Sequence, residues 1–91
     1  MIEKGPKKGT VKFTFKASNG VKDAYVAGDF TNWQPQKMRK QKNNCFVAVL
    51  PAGKGEHQYK FVVDDQWLVD PDNERRCVNS LGTLNSIAIV E

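Results

Sequence analysis

Val11-Lys12-Phe13-Thr14-Phe15-Lys16-Ala17 alternates apolar and polar residues without a break. A period of two places every second side chain on the same face of an extended chain, so one face of this segment meets a core and the other meets water. The segment is a strand. Working outward, no stretch carries apolar residues at helical spacing over ten residues, whereas the period of two recurs. Along Glu56 to Val63 it places His57, Tyr59, Phe61 and Val63 on one face and Gln58, Lys60 and Val62 on the other. Lys60 therefore points away from the aromatic core face. Ala24 to Gly28 reads as a short strand ending at Asp29, and a long loop with Trp33 and Pro35 follows it. Cys45 to Leu50 is apolar on both parities, as for a central strand covered on both sides.

Turn chemistry punctuates these runs. Ser18-Asn19-Gly20, Pro51-Ala52-Gly53-Lys54-Gly55, Asp64-Asp65 and Asp70-Pro71-Asp72-Asn73 each end a strand. Gln66 to Val69 returns as a short strand, and an irregular segment leads to the last one, Asn85 to Val90. Short strands with close turns and no helices predict an all-β fold, an immunoglobulin-like sandwich of two antiparallel sheets.

The bulk properties bound what this fold can do. Ninety-one residues suit one domain, and a chain this short buries only about 60 to 65% of its unfolded surface, enough for one core. Residues 1–9, with Gly5, Pro6, Lys4, Lys7 and Lys8, read as a flexible leader, and residues 10–91 as the single domain. Hydrophobic residues form 40% of the chain and charged residues 26%, with two tryptophans, two tyrosines and five phenylalanines, a globular rather than disordered mix. No run approaches the roughly 20 apolar residues of a membrane span, and no export signal is visible. Cys45 and Cys77 are too few for a disulfide framework and read as reduced thiols, which favours the cytoplasm. The net charge of +4 raises a nucleic-acid reading, but Lys37, Arg39, Lys40 and Lys42 are read as a solvated strand or loop face.

Catalysis requires paired titratable groups, and few are present. His57 is the only histidine and lies on the aromatic face of its strand, where a packed, hydrogen-bonded role is expected. One histidine and two distant cysteines give no zinc-ligand spacing. Asp64, Asp65, Asp70 and Asp72 sit at turn positions, where aspartate serves backbone hydrogen bonds. They match no calcium loop, and no phosphate-cradling glycine motif or nucleophile elbow occurs. The expectation is a non-enzyme with no catalytic residue, no metal ligand and no cofactor.

Chemistry concentrates instead at the two tryptophans. Trp33 stands in the turn-rich stretch Gly28-Asp29-Phe30-Thr31-Asn32-Trp33-Gln34-Pro35, and Trp67 follows the Asp64-Asp65 turn. Either ring alone could cap the end of a core. A pair with a lysine nearby is instead suited to pyranose rings, whose axial C–H patches cover an indole face while the hydroxyl rim bonds to polar neighbours.

Four motifs then occur in order: Gly28-Asp29-Phe30-Thr31-Asn32-Trp33, Gly55-Glu56-His57-Gln58-Tyr59-Lys60-Phe61, Asp65-Gln66-Trp67 and Leu81-Gly82-Thr83-Leu84-Asn85. From about Thr10 to Val90 the chain resembles carbohydrate-binding module family 48, to which the glycogen-binding domain of the AMP-activated protein kinase β subunit and the N-terminal domains of isoamylase-type and branching enzymes belong. The resemblance implies an early-set immunoglobulin-like sandwich that binds α-1,4-linked glucans: glycogen, starch, maltooligosaccharides or cyclodextrin. It further implies that Trp33 and Trp67 stack on glucose rings, that Lys60 and Asn85 bond sugar hydroxyls, that Thr83 makes a polar contact and that Leu81 packs against the glucan. Asn85 could alternatively only pin the start of the last strand. Two departures stand out. The turn before Glu56 differs from that of the kinase subunit, and Asn73 to Asn79 has lost the similarity.

Two other functions fit the same residues. An immunoglobulin-like protein-interaction or spacer module, attached to a glucan-processing enzyme or kinase complex, would use the tryptophans as hot-spot anchors. A basic β-domain stacking single-stranded nucleic acid ranks last, because the RNA-recognition signature is missing.

Overall fold

A computed structural model describes residues 1–90. Ten strands form: β1 (Ile2–Lys4), β2 (Thr10–Lys16), β3 (Ala24–Gly28), β4 (Gln36–Lys37), β5 (Arg39–Lys40), β6 (Cys45–Pro51), β7 (Gly55–Val63), β8 (Gln66–Leu68), β9 (Arg76–Val78) and β10 (Leu84–Val90). Single 3-10 turns occupy Asp29–Thr31 and Lys42–Asn44. One sheet runs β1-β2-β6-β5 and the other β4-β3-β7-β10-β9, with β8 also on β7. Every pairing is antiparallel. The chain is an all-β, immunoglobulin-like sandwich.

The alternation in β2 and β7 builds the core. Phe13 and Phe15 from one sheet meet Tyr59 and Phe61 from the other, edge-on or tilted, with ring centroids 5.1 and 5.3 Å apart. Phe30, from the turn after β3, stacks on Phe13 at 5.5 Å. Phe13, Tyr59 and Phe61 are among the largest fully buried side chains, and each aromatic side chain buries about 150–250 Å².

Two expectations are corrected. Ile2–Lys4, assigned by sequence to a flexible leader, forms β1 and pairs with Val11–Phe13. Ile2 lies opposite Phe13 and packs against the core, and a single apolar residue beside charged ones leaves no visible period. The apolar run of β6 is covered on one face only. Phe46 and Ala48 are buried, whereas Val49 is 43% exposed, because β6 lies inside its sheet but no third layer covers the outer side.

The irregular segment after β8 is tied down by buried polar bonds. The Tyr59 hydroxyl donates to Asp70 Oδ2 at 2.7 Å and accepts from Asn73 Nδ2 at 2.9 Å. The Asp70 N–H donates to Ser86 Oγ at 2.7 Å, and Asp70 Oδ1 accepts the Asp72 N–H at 2.9 Å. Asp70 thus makes the turn bond read from sequence and is also fully buried. No buried side-chain polar atom among the described residues lacks a partner.

Burial pushes the Tyr59 hydroxyl far above the ordinary tyrosine range, and the Asp70 carboxylate adds to the rise while the bond from Asn73 opposes it. A raised folded-state value means that the native state keeps a proton which the unfolded chain releases above about pH 10. Stability from this group is therefore complete below that pH and is lost as the pH rises. The melting temperature should fall between about pH 9 and 11, and fall less steeply in Tyr59→Phe. At neutral pH that variant should cost about 1–3 kcal/mol, because Asp70 loses a donor in a dry site.

Candidate functional site

Register places the site residues on the outer face of the larger sheet. Tyr59 lies opposite both Gly28 and Ser86, and Phe61 lies opposite both Val26 and Leu68. β3 therefore takes one edge of β7, while β10 and β8 follow one another along the other. Trp67 sits directly opposite Val62, so it shares the outward parity of Lys60. Asn85, next to the inward Ser86, shares it too. The turn that delivers Trp67 has Asp64 and Asp65 at φ 47° and 68°, the two positive values of a tight hairpin.

Trp33 arrives from the other side by a strapped loop. The Thr31 hydroxyl accepts the Gly28 N–H at 3.1 Å and donates to the Gly28 carbonyl at 3.0 Å. The Trp33 N–H donates to the same carbonyl at 2.8 Å. Asp29 Oδ2 accepts the Gln58 N–H at 3.0 Å, and Asp29 Oδ1 lies 2.8 Å from His57 Nδ1. His57 Nε2 lies 3.1 Å from the Gly53 carbonyl. The histidine is thus a packed, hydrogen-bonded strap between loop and strand. Asn32 and Trp33 are both left-handed, at φ 55° and 60°, a conformation that costs a non-glycine residue roughly 1–2 kcal/mol. These bonds hold it in place.

An open groove of about 740 Å³ is lined by Trp33, Lys60, Trp67, Leu81, Thr83 and Asn85. All six residues singled out from sequence therefore meet. The indoles are 37% and 48% exposed, and Leu81, at the tip of the 79–83 turn, is 86% exposed. Asn85 is only 5% exposed, under that turn. Lys60 Nζ donates to Thr83 Oγ1 at 3.3 Å. A smaller cavity of about 210 Å³ between β1, β2 and the end of β10 contains no aromatic ring.

Sequence reasoning missed Gln58 and Asn79, which also line the groove. Gln58 was within reach, because it shares the outward parity of Lys60. Asn79 left no signal, since it lies in the segment without family similarity. No carboxylate, histidine or cysteine is among the lining residues. What the groove offers is two apolar ring faces, one cation and a set of hydroxyl and amide groups. Among the described residues no three His, Cys, Asp or Glu side chains gather as metal ligands. Cys45 and Cys77 are free thiols.

The family described as the glycogen recognition site of AMP-activated protein kinase matches residues 11–91. The chain belongs to that family. Over 77 residues, 85% of this chain, it is 44% identical to the AMP-activated protein kinase subunit β-1 of Sus scrofa and to that of Rattus norvegicus. It spans 62% of the first and 28% of the second. A crystallised maltogenic amylase from S. marinus is similar over 90% of this chain and 13% of its own, with 28% identity and a TM-score of 0.74. The glycogen-recognition fold is therefore shared with a segment of a much longer enzyme.

Gly28 is the tightest point of the site. A Cβ there would meet Phe30 Cε1 at 2.4 Å and the Gln58 carbonyl oxygen at 2.6 Å, and backbone cannot yield as a flexible side chain does. Gly28→Ala should destabilise the fold by about 1–3 kcal/mol, read as a lower denaturation midpoint. The emission of Trp33 should change with it, because the loop must shift.

Proposed function

We propose that this domain is a non-catalytic module that binds α-1,4-linked glucan chains, with glycogen, starch, maltooligosaccharides and cyclodextrins as its ligand class. The observation that carries the reading is the convergence of two exposed indoles, one from the loop after β3 and one from β8, on one open groove that also contains Lys60 of β7. Rings needed for the core would be buried like Phe13 and Phe61, and a strained backbone at Trp33 is retained where the ring has work outside the core. Trp33 and Trp67 are the stacking platforms, Leu81 packs on the glucan, and Lys60, Thr83 and Asn85 supply the polar contacts. By comparison with base stacking, each ring contributes about 1 to 3 kcal/mol, so affinity is modest.

The relatives place such domains in larger proteins: a kinase subunit and an amylase. We infer that this domain likewise carries its partner, a kinase-related complex or a glucan-processing enzyme, to the polysaccharide. The cytoplasm suits its free thiols. Among the described residues no helix is long and apolar enough to cross a membrane.

Trp33→Ala and Trp67→Ala should each weaken maltoheptaose binding about ten- to a hundredfold, measured by calorimetry, with little change in melting temperature. A large drop in melting temperature would assign the ring to the core and remove it from the site. Because neutral glucans release no counterions, the dissociation constant should change less than about twofold between roughly 50 and 500 mM salt, while any oligonucleotide binding should vanish. An oligonucleotide that binds steeply at low salt where maltoheptaose does not would transfer the groove to nucleic acid.

A further inference from the structure

The amides under the 79–83 turn form a chain whose polarity is set by the backbone. Asn79 Oδ1 lies 2.9 Å from the Leu81 nitrogen and 3.1 Å from the Thr83 nitrogen. A backbone N–H can only donate, so this end of the Asn79 side chain must be its oxygen. Its nitrogen then faces Thr83 Oγ1 at 2.7 Å and Asn85 at 3.0 Å, with one hydrogen for each. Asn85 must answer with its oxygen. Its nitrogen is thereby turned to Gln58 at 2.8 Å, and Gln58 must answer with Oε1. The Nε2 of Gln58 has no partner among the described residues, and since no buried side-chain polar atom among them is unpaired, it opens to the groove. Thr83 is constrained in the same way. Its oxygen accepts from both Asn79 and Lys60, both lone pairs are taken, and its hydrogen is left to point outward.

We propose that the polar rim of the groove presents donors, namely the Gln58 amide, the Thr83 hydroxyl and the remaining Lys60 hydrogens, and that Gln58 is a glucan-contacting residue oriented by Asn79 through Asn85. The inference rests on the glucan reading above and specifies its chemistry. The rim reads acceptor lone pairs on the sugar, which ring and glycosidic oxygens offer unconditionally and hydroxyls offer when their own hydrogen is turned away. Asn85, nearly buried but lining the groove, transmits the orientation to Gln58 besides making the contact assigned to it above, and Asn79 is a positioning residue, since all its polar capacity is used within the protein.

Two variants test this against the intact domain with maltoheptaose in a calorimeter, each compared with wild type at the same pH. Gln58→Glu keeps an oxygen for Asn85 and replaces the outward donor with a carboxylate. Binding should fall about tenfold or more at pH 7 and recover to within about threefold of wild type as the pH falls to about 4, where an ordinary glutamate regains its proton and with it a donor. Asn79→Asp keeps the acceptor for the two backbone N–H groups and the turn they close. It removes both donated hydrogens, so Asn85 and Gln58 must reverse and present an oxygen to the sugar. Binding should again fall about tenfold, without recovery on Gln58's account and with the melting temperature held. Wild-type binding with a Gln58→Glu variant that is unweakened, or equally weak at both pH values, overturns the donor assignment. An Asn79→Asp variant that folds and binds as wild type overturns the relay, and should that variant fail to fold, the pH profile of Gln58→Glu decides alone. Wild type that does not bind maltoheptaose at all overturns the glucan reading itself.

Discussion

Everything on the functional face hangs from the parity of β7. Burying Tyr59, Phe61 and Val63 against the other sheet leaves no freedom for the residues between them, so Gln58, Lys60 and Val62 must face outward. A slip of one residue would place a lysine in the aromatic layer and an aromatic ring in the groove. The strand then serves as a ruler for its neighbours. Trp67 is registered opposite Val62, Asn85 follows from the pairing of Ser86 with Tyr59, and the Trp33 loop is fastened by Asp29 to the backbone of Gln58. The same burial that drives folding thus sets the spacing of the site.

The arrangement is prepared before any ligand arrives. Trp33 is held in a left-handed conformation by bonds to Gly28 and, through Asp29, to β7. Asn79 closes its turn with two backbone bonds and spends both its hydrogens on neighbours. Groups already fixed lose little freedom on binding, which favours affinity in a shallow, open groove with only two rings.

Strong alternation made β2 and β7 legible in the sequence, and with β7 the outward aim of Lys60, whereas β3 was legible from the turn before it and Asp29 at its end. Turn residues located Trp33 and Trp67, and their exposure agrees with rings placed outside the core. β1 and β9 were not legible, because three residues cannot display a period and, unlike β8 between Asp64-Asp65 and Asp70-Pro71, neither is bracketed by turn residues that mark a strand; both are defined by their partners. Cys45 to Leu50 misled for a different reason. Apolar side chains on both parities do not reveal whether a second layer exists, and Val49 meets solvent. In the site, Asn85 was found but its depth was not, since its burial is supplied by a turn whose hub, Asn79, has an amide that looks like any loop asparagine. Asp70 was read as a turn former, and its buried bond to Tyr59 depends on a contact between distant segments that no local pattern records.

The strands that end the main path of each sheet share a property that also gives a role to five of the basic residues. β1, β5, β4 and β9 are two or three residues long, and each carries a lysine or arginine: Lys4, Arg39 with Lys40, Lys37 and Arg76. An exposed strand edge is a template for another copy of the same chain, and brevity with like charge is what blunts it. On the glucan proposed above, copies bound side by side would meet at high local concentration. Short edges of like charge would oppose their pairing there and keep them separate domains instead of a continuous sheet.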